Sequence, residues 1–224
     1  MPGCKNMLSP DREMVISSPQ DPGASGSSEL IRSCSYCGRF FARCCQHIHV
    51  ESERICHHFP VVYTDGACRN NGRRGAVQVA GLGIALGSDE GDQWAVHVDD
   101  SVDPGAQRTS QRAELLAAIK GVELFTERWL THEEDDHANN PDDIVDLIIA
   151  TDSEYVCKGM YEWYPTWKTN GWRAANGAPK NLDLFHKLND AVQRLETLGV
   201  DVGFLHLQRE NNPLADALAK SATA

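Results

Sequence analysis

The feature that most restricts this chain is an unbroken apolar run, Leu147-Ile148-Ile149-Ala150, which opens at Asp146 and ends at Thr151-Asp152. A strand with one wet face alternates polar and apolar residues. One without alternation is covered on both faces, as inside a parallel or mixed sheet flanked by helices. Open sheets of that kind collect their sites near the carboxyl ends of strands, where Asp152 stands.

The flanking sequence supplies the other elements. Val61-Val62-Tyr63 reads as a short strand ending at Asp65, Val79 to Leu86 as a second and Trp94 to Val98 as a third, with Arg69-Asn70-Asn71-Gly72 as the first turn. Ser110 to Leu130 has the period of an amphipathic helix that begins near Thr109 or Ser110. A short helix is predicted from Ser153 to Trp163, a longer one from Leu182 to Leu198, a strand from Val200 to Leu207 and a last helix from Pro213 to Ala222. The order is βββαβαβα, interrupted by an insertion around Trp167 to Lys180. It predicts an α/β fold, a mixed five-stranded sheet with helices on both faces.

Ahead of this unit, residues 1–29 are rich in Pro, Gly and Ser and show no apolar period, which predicts a disordered tail. Residues 30–59 form a Cys/His-rich segment, and residues 60–224 the α/β unit. Five of the eight cysteines, Cys34, Cys37, Cys44, Cys45 and Cys56, crowd beside His47, His49, His57 and His58. That mixture favours a metal or bare thiols in a reducing compartment over disulfides. Cys34-Ser35-Tyr36-Cys37 is a C-x-x-C pair, and the segment is read either as holding one structural Zn²⁺ site within residues 34–58 or as an ordinary basic linker with Arg32, Arg39 and Arg43.

A net charge of −11 argues against indiscriminate binding of nucleic acid, yet Arg69, Arg73, Arg74, Lys168, Arg173 and Lys180 lie in two Gly- and Asn-rich segments that can form a local basic footprint. The acidic excess sits in Glu133-Glu134-Asp135-Asp136 and Asp142-Asp143. No stretch approaches the roughly 18 to 20 apolar residues of a membrane span, and the first residues lack a secretory pattern. The expectation is a soluble intracellular monomer, nuclear or cytoplasmic.

Four acids occupy the positions where such a fold builds its site: Asp65 on the first strand, Glu114 on the first helix, Asp152 after the buried strand and Asp216 on the last helix. A lone Asp at a strand end is ordinarily a turn or a cap. Four carboxylates gathered on apolar elements raise one another's pKa and call for cations. Oxygen-only donors select Mg²⁺, or Mn²⁺ in its place, over Zn²⁺. Two such ions suit an in-line phosphoryl displacement.

Tyr63-Thr64-Asp65-Gly66-Ala67-Cys68, Thr109-Ser110-Gln111-Arg112-Ala113-Glu114, Thr151-Asp152-Ser153 and Asn212-Pro213-Leu214-Ala215-Asp216 resemble, in order, the motifs of type 1 ribonucleases H. The resemblance covers Val61 to Ala222. Trp163, Trp167 and Asn170-Gly171-Trp172 resemble the substrate-handling insertion of the cellular enzymes, which retroviral domains often lack.

The resemblance implies an endonuclease that cuts the RNA strand of an RNA–DNA hybrid and leaves 5′-phosphate and 3′-hydroxyl ends. Asp65 would bridge two Mg²⁺ ions, Glu114 would contact one ion and the RNA 2′-hydroxyl, and Asp152 and Asp216 would complete the shells. Cys68, Asn70, Asn71, Ser110 and Gln111 would face the minor groove, with turn chemistry the plain alternative for the two asparagines and helix capping for Ser110. Trp163 and Trp167 would stack on the DNA strand, with core burial the alternative, while Thr109 and Asn181 would grip a phosphate.

The family's mobile Gly-His loop is replaced here by Gln208-Arg209-Glu210-Asn211-Asn212. The product-release role of its His falls to Arg209 rather than to His206, which continues the strand pattern. Arginine cannot exchange protons near neutral pH and would act on a phosphate electrostatically. Two other readings stay open: an inactive hybrid-binding protein, and a nuclease of the same fold with another nucleic-acid substrate.

Overall fold

Leu147, Ile148, Ile149 and Ala150 are each 0% exposed, as the lack of alternation requires. In the computed structural model, which describes residues 31–43, 57–73, 75–131 and 146–224, they lie on a strand with neighbours on both sides. The expected tail, the acidic clusters at 133–136 and 142–143, Arg74, and Cys44, Cys45, His47, His49 and Cys56 fall outside the described residues.

The strands are β1 (Ile31–Ser33), β2 (Phe40–Ala42), β3 (Val61–Arg69), β4 (Val79–Ala85), β5 (Gln93–Val98), β6 (Asp146–Thr151) and β7 (Asp201–His206). The helices are α1 (Ser110–Thr131), α2 (Glu154–Lys158), α3 (Tyr164–Thr169), α4 (Leu182–Thr197) and α5 (Pro213–Ser221). Five strands form one sheet in the order β5-β4-β3-β6-β7. The meander β3-β4-β5 is antiparallel, whereas β6 runs parallel to both β3 and β7. The mixed sheet with helices on both faces is therefore present.

Alternation along β3 divides the molecule into two cores. Val62 joins Leu82, Ile84, Ile149 and Phe204 beneath α1 and α4. Val61 joins Ile148, Ala150 and Leu205 on the opposite face, together with Ile31, Ala42 and Phe59. Helix α5 lies on that second face, where strand glycines let it approach: a Cβ on Gly83 would stand 2.0 Å from the carbonyl oxygen of Ala215.

Two elements depart from the sequence reading. β3 does not stop at Asp65 but continues to Arg69, because Gly66 to Arg69 keep pairing with β4 after the parallel pairing with β6 has ended at Thr64. The helix expected to end at Trp163 runs on to Thr169 through a single π-helical turn, Gly159–Trp163. Part of the 30–59 segment is also built into the fold. β1 and β2 form an antiparallel hairpin whose Ile31 and Ala42 complete the second core. No helix among the described residues is long and apolar enough to cross a membrane.

Candidate active site

Parallel pairing of β3 with β6 ends where Thr64 faces Thr151. The next residue in each segment is an aspartate: Asp65 still within β3, and Asp152 just past the end of β6, where its carboxylate meets Asn212 and Arg209 ahead of α5. The repeated Thr-Asp dipeptide thus becomes a spatial pair at the point where two strands part. Glu114, the fifth residue of α1, reaches the pair from the N-terminal part of that helix. Only a glycine permits that approach, since a Cβ on Gly66 would lie 2.2 Å from the Glu114 backbone nitrogen. The Gly66 N–H donates to Glu114 Oε2 at 3.2 Å. Asp216 comes from the first turn of α5.

The electrostatics follow from this crowding. Asp65 is 4% exposed, and burial, followed by the charges of Asp152 and Asp216, pushes its carboxyl up to about 6. Burial first, then Asp65 and Asp152, hold Glu114 well above the ordinary carboxylate range.

Two cations compensate at the rim. Arg209 Nη2 donates to Asp216 Oδ1 at 3.0 Å, and its Nη1 lies 3.6 Å from Asp152 Oδ2. Lys220 donates to Asp216 Oδ2 at 2.6 Å. No three of these carboxylates bring ligand atoms within 4.8 Å of one another; among the described residues that closeness belongs to Cys34, Cys37 and His57. Arg209 and Lys220 both pair with Asp216 at the rim. The donor set of the four acids, oxygen-only and short of positive charge, fits hard divalent cations.

Arg209, given a role on sequence grounds, is thus in the site, on a 3-10 turn (Arg209–Asn211). His206, set aside on the same grounds, ends β7 and places Nε2 3.3 Å from the Asp152 carbonyl oxygen. Asn212 was quoted in a motif but given no task. It is buried, and its Nδ2 donates both to Asp152 Oδ1 at 2.9 Å and to the Thr64 carbonyl at 3.0 Å. It stands directly before Pro213 at the start of α5, and its side chain makes no capping bond there. Only proximity across the sheet reveals its role.

A recess of about 410 Å³ adjoins the site, lined by Asn71, Thr109, Ser110, Gln111, Lys180 and Asn181. Thr109, not Ser110, caps α1, its Oγ1 accepting from the Arg112 N–H at 3.2 Å. Asn70 serves the turn: its φ is +58° and its Nδ2 donates to the Val77 carbonyl. Cys68 is half-buried beside it. Arg112 joins the two ends of the recess, forming a bidentate pair with buried Asp103 at 2.7 and 2.8 Å and donating to Asp183 at 2.8 Å and to Asn181 Oδ1 at 3.4 Å. Asn181 sits at φ +55° and donates to the Tyr155 hydroxyl.

The two tryptophans expected to share a channel are placed differently. Trp167 is 9% exposed and packs edge-on against Phe185, with ring centroids 5.3 Å apart, so core burial describes most of its surface. Trp163 remains half-exposed, 6.1 Å from Trp167. Helical spacing put both on one side of the helix, but the depth of each was set by α4.

A sequence model of the RNase H family matches residues 58–224. The chain belongs to the ribonuclease H family. A ribonuclease H of Schizosaccharomyces pombe is 31% identical over 171 residues, which make up 76% of this chain and 55% of that protein. Ribonuclease HI of Neisseria meningitidis serogroup B is 32% identical over 164 residues, 73% of this chain and 94% of its own. A ribonuclease H of Jannaschia sp. is 34% identical over 166 residues, 73% and 90% respectively. As a ribonuclease H the chain is a nuclease acting on nucleic acid. The ribonuclease H match begins at His58, just past the Cys/His-rich hairpin.

Proposed function

We propose that this ribonuclease H is an endonuclease that hydrolyses the RNA strand of RNA–DNA hybrids with two Mg²⁺ ions, Mn²⁺ substituting, and leaves 5′-phosphate and 3′-hydroxyl ends. The observation that carries the proposal is the meeting of Asp65, Glu114, Asp152 and Asp216 at one end of the β3–β6 seam, where burial and mutual repulsion leave an unmet demand for positive charge. Asp65, which lies beside Asp152 and Asp216, would hold the ions together with Glu114, Asp152 and Asp216. Bound divalent ions supply charge neutralisation at the scissile phosphate and a nucleophilic water at neutral pH.

The chain's own residues do the rest. Asn212 fixes the Asp152 carboxylate. Glu114, held by the Gly66 N–H, stands where a 2′-hydroxyl can be read, the group that separates RNA from DNA. Cys68, Asn70, Asn71, Ser110 and Gln111 border the minor groove, and Thr109 and Asn181, positioned by Arg112, grip a phosphate of the DNA strand. Trp163 offers a face for stacking on that strand, with the remaining edge of Trp167 behind it. Arg209 binds the cleaved phosphate and speeds its departure.

Cleavage of a labelled RNA–DNA hybrid, duplex DNA and duplex RNA in Mg²⁺, Mn²⁺ or EDTA tests this. The native protein is expected to cut only the RNA of the hybrid and only with metal, and Asp152→Asn to abolish cutting. Equal cleavage by Asp152→Asn, or hybrid binding without cleavage by the native protein, overturns the proposal.

A further inference from the structure

The hairpin that closes the second core carries a cluster the nuclease reading does not use. Cys34 directly follows β1, Cys37 sits in the turn and His57 lies four residues ahead of β3; their ligand atoms are all within 4.8 Å of one another. His57 Nε2 stands 3.3 Å from Cys34 Sγ and 3.9 Å from Cys37 Sγ. In a tetrahedral zinc site, bonds of about 2.3 Å to sulfur and 2.0 Å to nitrogen place neighbouring ligand atoms roughly 3.5 to 3.8 Å apart. The observed separations bracket that range.

The surroundings hold the cluster in shape. The Cys34 N–H donates to the Arg39 carbonyl and the Gly38 N–H to the Cys34 carbonyl, both at 2.8 Å, while Gly38 takes the left-handed φ of +69° that the tight turn needs. Phe41 stacks on the His57 ring at 4.1 Å and 23°. Both cysteines are free thiols, and Cys34 is 2% exposed.

We propose that Cys34, Cys37 and His57 bind one Zn²⁺, which clips the β1–β2 hairpin to the start of β3 and so seals the sheet face opposite α1. Two thiolates and an imidazole are soft donors, which select zinc and reject the Mg²⁺ of the carboxylate site. Water or a further donor takes the fourth position. Binding releases the two thiol protons to solvent, so affinity rises with pH. The site is structural: Ile31, Ala42 and Phe59, which the clip holds together, cover Val61, Ile148 and Leu205 beside the catalytic seam.

The test uses the full chain, reduced and stripped of metal, titrated with Co²⁺ and then Zn²⁺. One equivalent of Co²⁺ is expected to give the visible bands of tetrahedral thiolate coordination, and Zn²⁺ to displace it and raise Tm by several degrees. Cys34→Ser/Cys37→Ser should lose both responses, and Asp152→Asn should keep them, which separates this site from the nuclease centre. If the double variant fails to fold, X-ray absorption of the zinc-loaded native protein decides, with two sulfur ligands and at least one nitrogen expected. Absence of stoichiometric binding, a Cys34–Cys37 disulfide formed in its place, or a shell of oxygen ligands overturns the proposal.

Discussion

Arg209 precedes Asp216 by seven residues, and its guanidinium holds one oxygen of that carboxylate at 3.0 Å while standing 3.6 Å from Asp152. The same group therefore competes with a divalent cation for two ligands and faces any phosphate that enters. Arg209→Ala is expected to lower kcat by roughly 10- to 100-fold. The Mg²⁺ concentration for half-maximal activity should fall by about 2- to 5-fold, a small change because the side chain is 70% exposed. Steady-state kinetics over a Mg²⁺ series checks both. A parallel loss of Mg²⁺ affinity would remove Arg209 as a competitor for the site.

The raised carboxyls of Asp65 and Glu114 fix how stability responds to pH without divalent ions. Between the ordinary Asp value of 3.8 and about 6, folded Asp65 keeps a proton that the unfolded chain has lost, so stability falls as pH rises through that window. Thermal melts in EDTA should show a higher Tm at pH 5 than at pH 7. Asp65→Asn should stabilise the protein at pH 7 by roughly 1 to 3 kcal/mol and flatten the profile. Mg²⁺ should raise Tm more at pH 7 than at pH 5, where protons compete with it.

Asn212 links the carboxylate of Asp152 to the backbone of β3. Asn212→Ala leaves the Thr64 carbonyl buried without that partner and Asp152 without its support. A loss of about 1 to 3 kcal/mol in denaturant unfolding is expected, together with a fall in kcat larger than any change in KM. Unaltered cleavage would show that Asp152 needs no such anchor.

Gly66 sets the distance between β3 and α1. Gly66→Ala places a methyl group 2.2 Å from the Glu114 nitrogen, and neither backbone can yield without moving Glu114. Overpacking of this kind costs about 1 to 3 kcal/mol or more. Both Tm and cleavage should fall, whereas Gly72→Ala, at a φ of +73° in an open turn, should cost stability alone.

Trp163 and Trp167 differ in depth and should differ in phenotype. Trp167→Ala is expected to cost about 3 to 5 kcal/mol in stability. Trp163→Ala should leave Tm nearly intact and raise KM for the hybrid several-fold. Matched melting and kinetic measurements separate the two, and the reverse pattern would exchange their roles.

The order of elements, the buried central strand and the identity of the carboxylates were all legible in the chain itself. Each rests on local properties: a run with no polar face, a helical period, and acids in short motifs whose spacing along the chain does not matter. The sequence was blind to everything that depends on how close two elements come. Asn212 was only a letter of a motif until α5 settled on the sheet and brought it to Thr64 and Asp152. Trp163 and Trp167 shared a stripe until α4 buried one ring more deeply. Residues 31–42 looked like part of a linker, although Ile31 and Ala42 belong to a core whose other members lie on β3, β6 and β7. Side-chain type determined which residues can bind charge, metal or phosphate. Tertiary packing decided which of them meet, because an interaction between groups far apart in sequence exists only after the elements carrying them have been brought within a few ångströms.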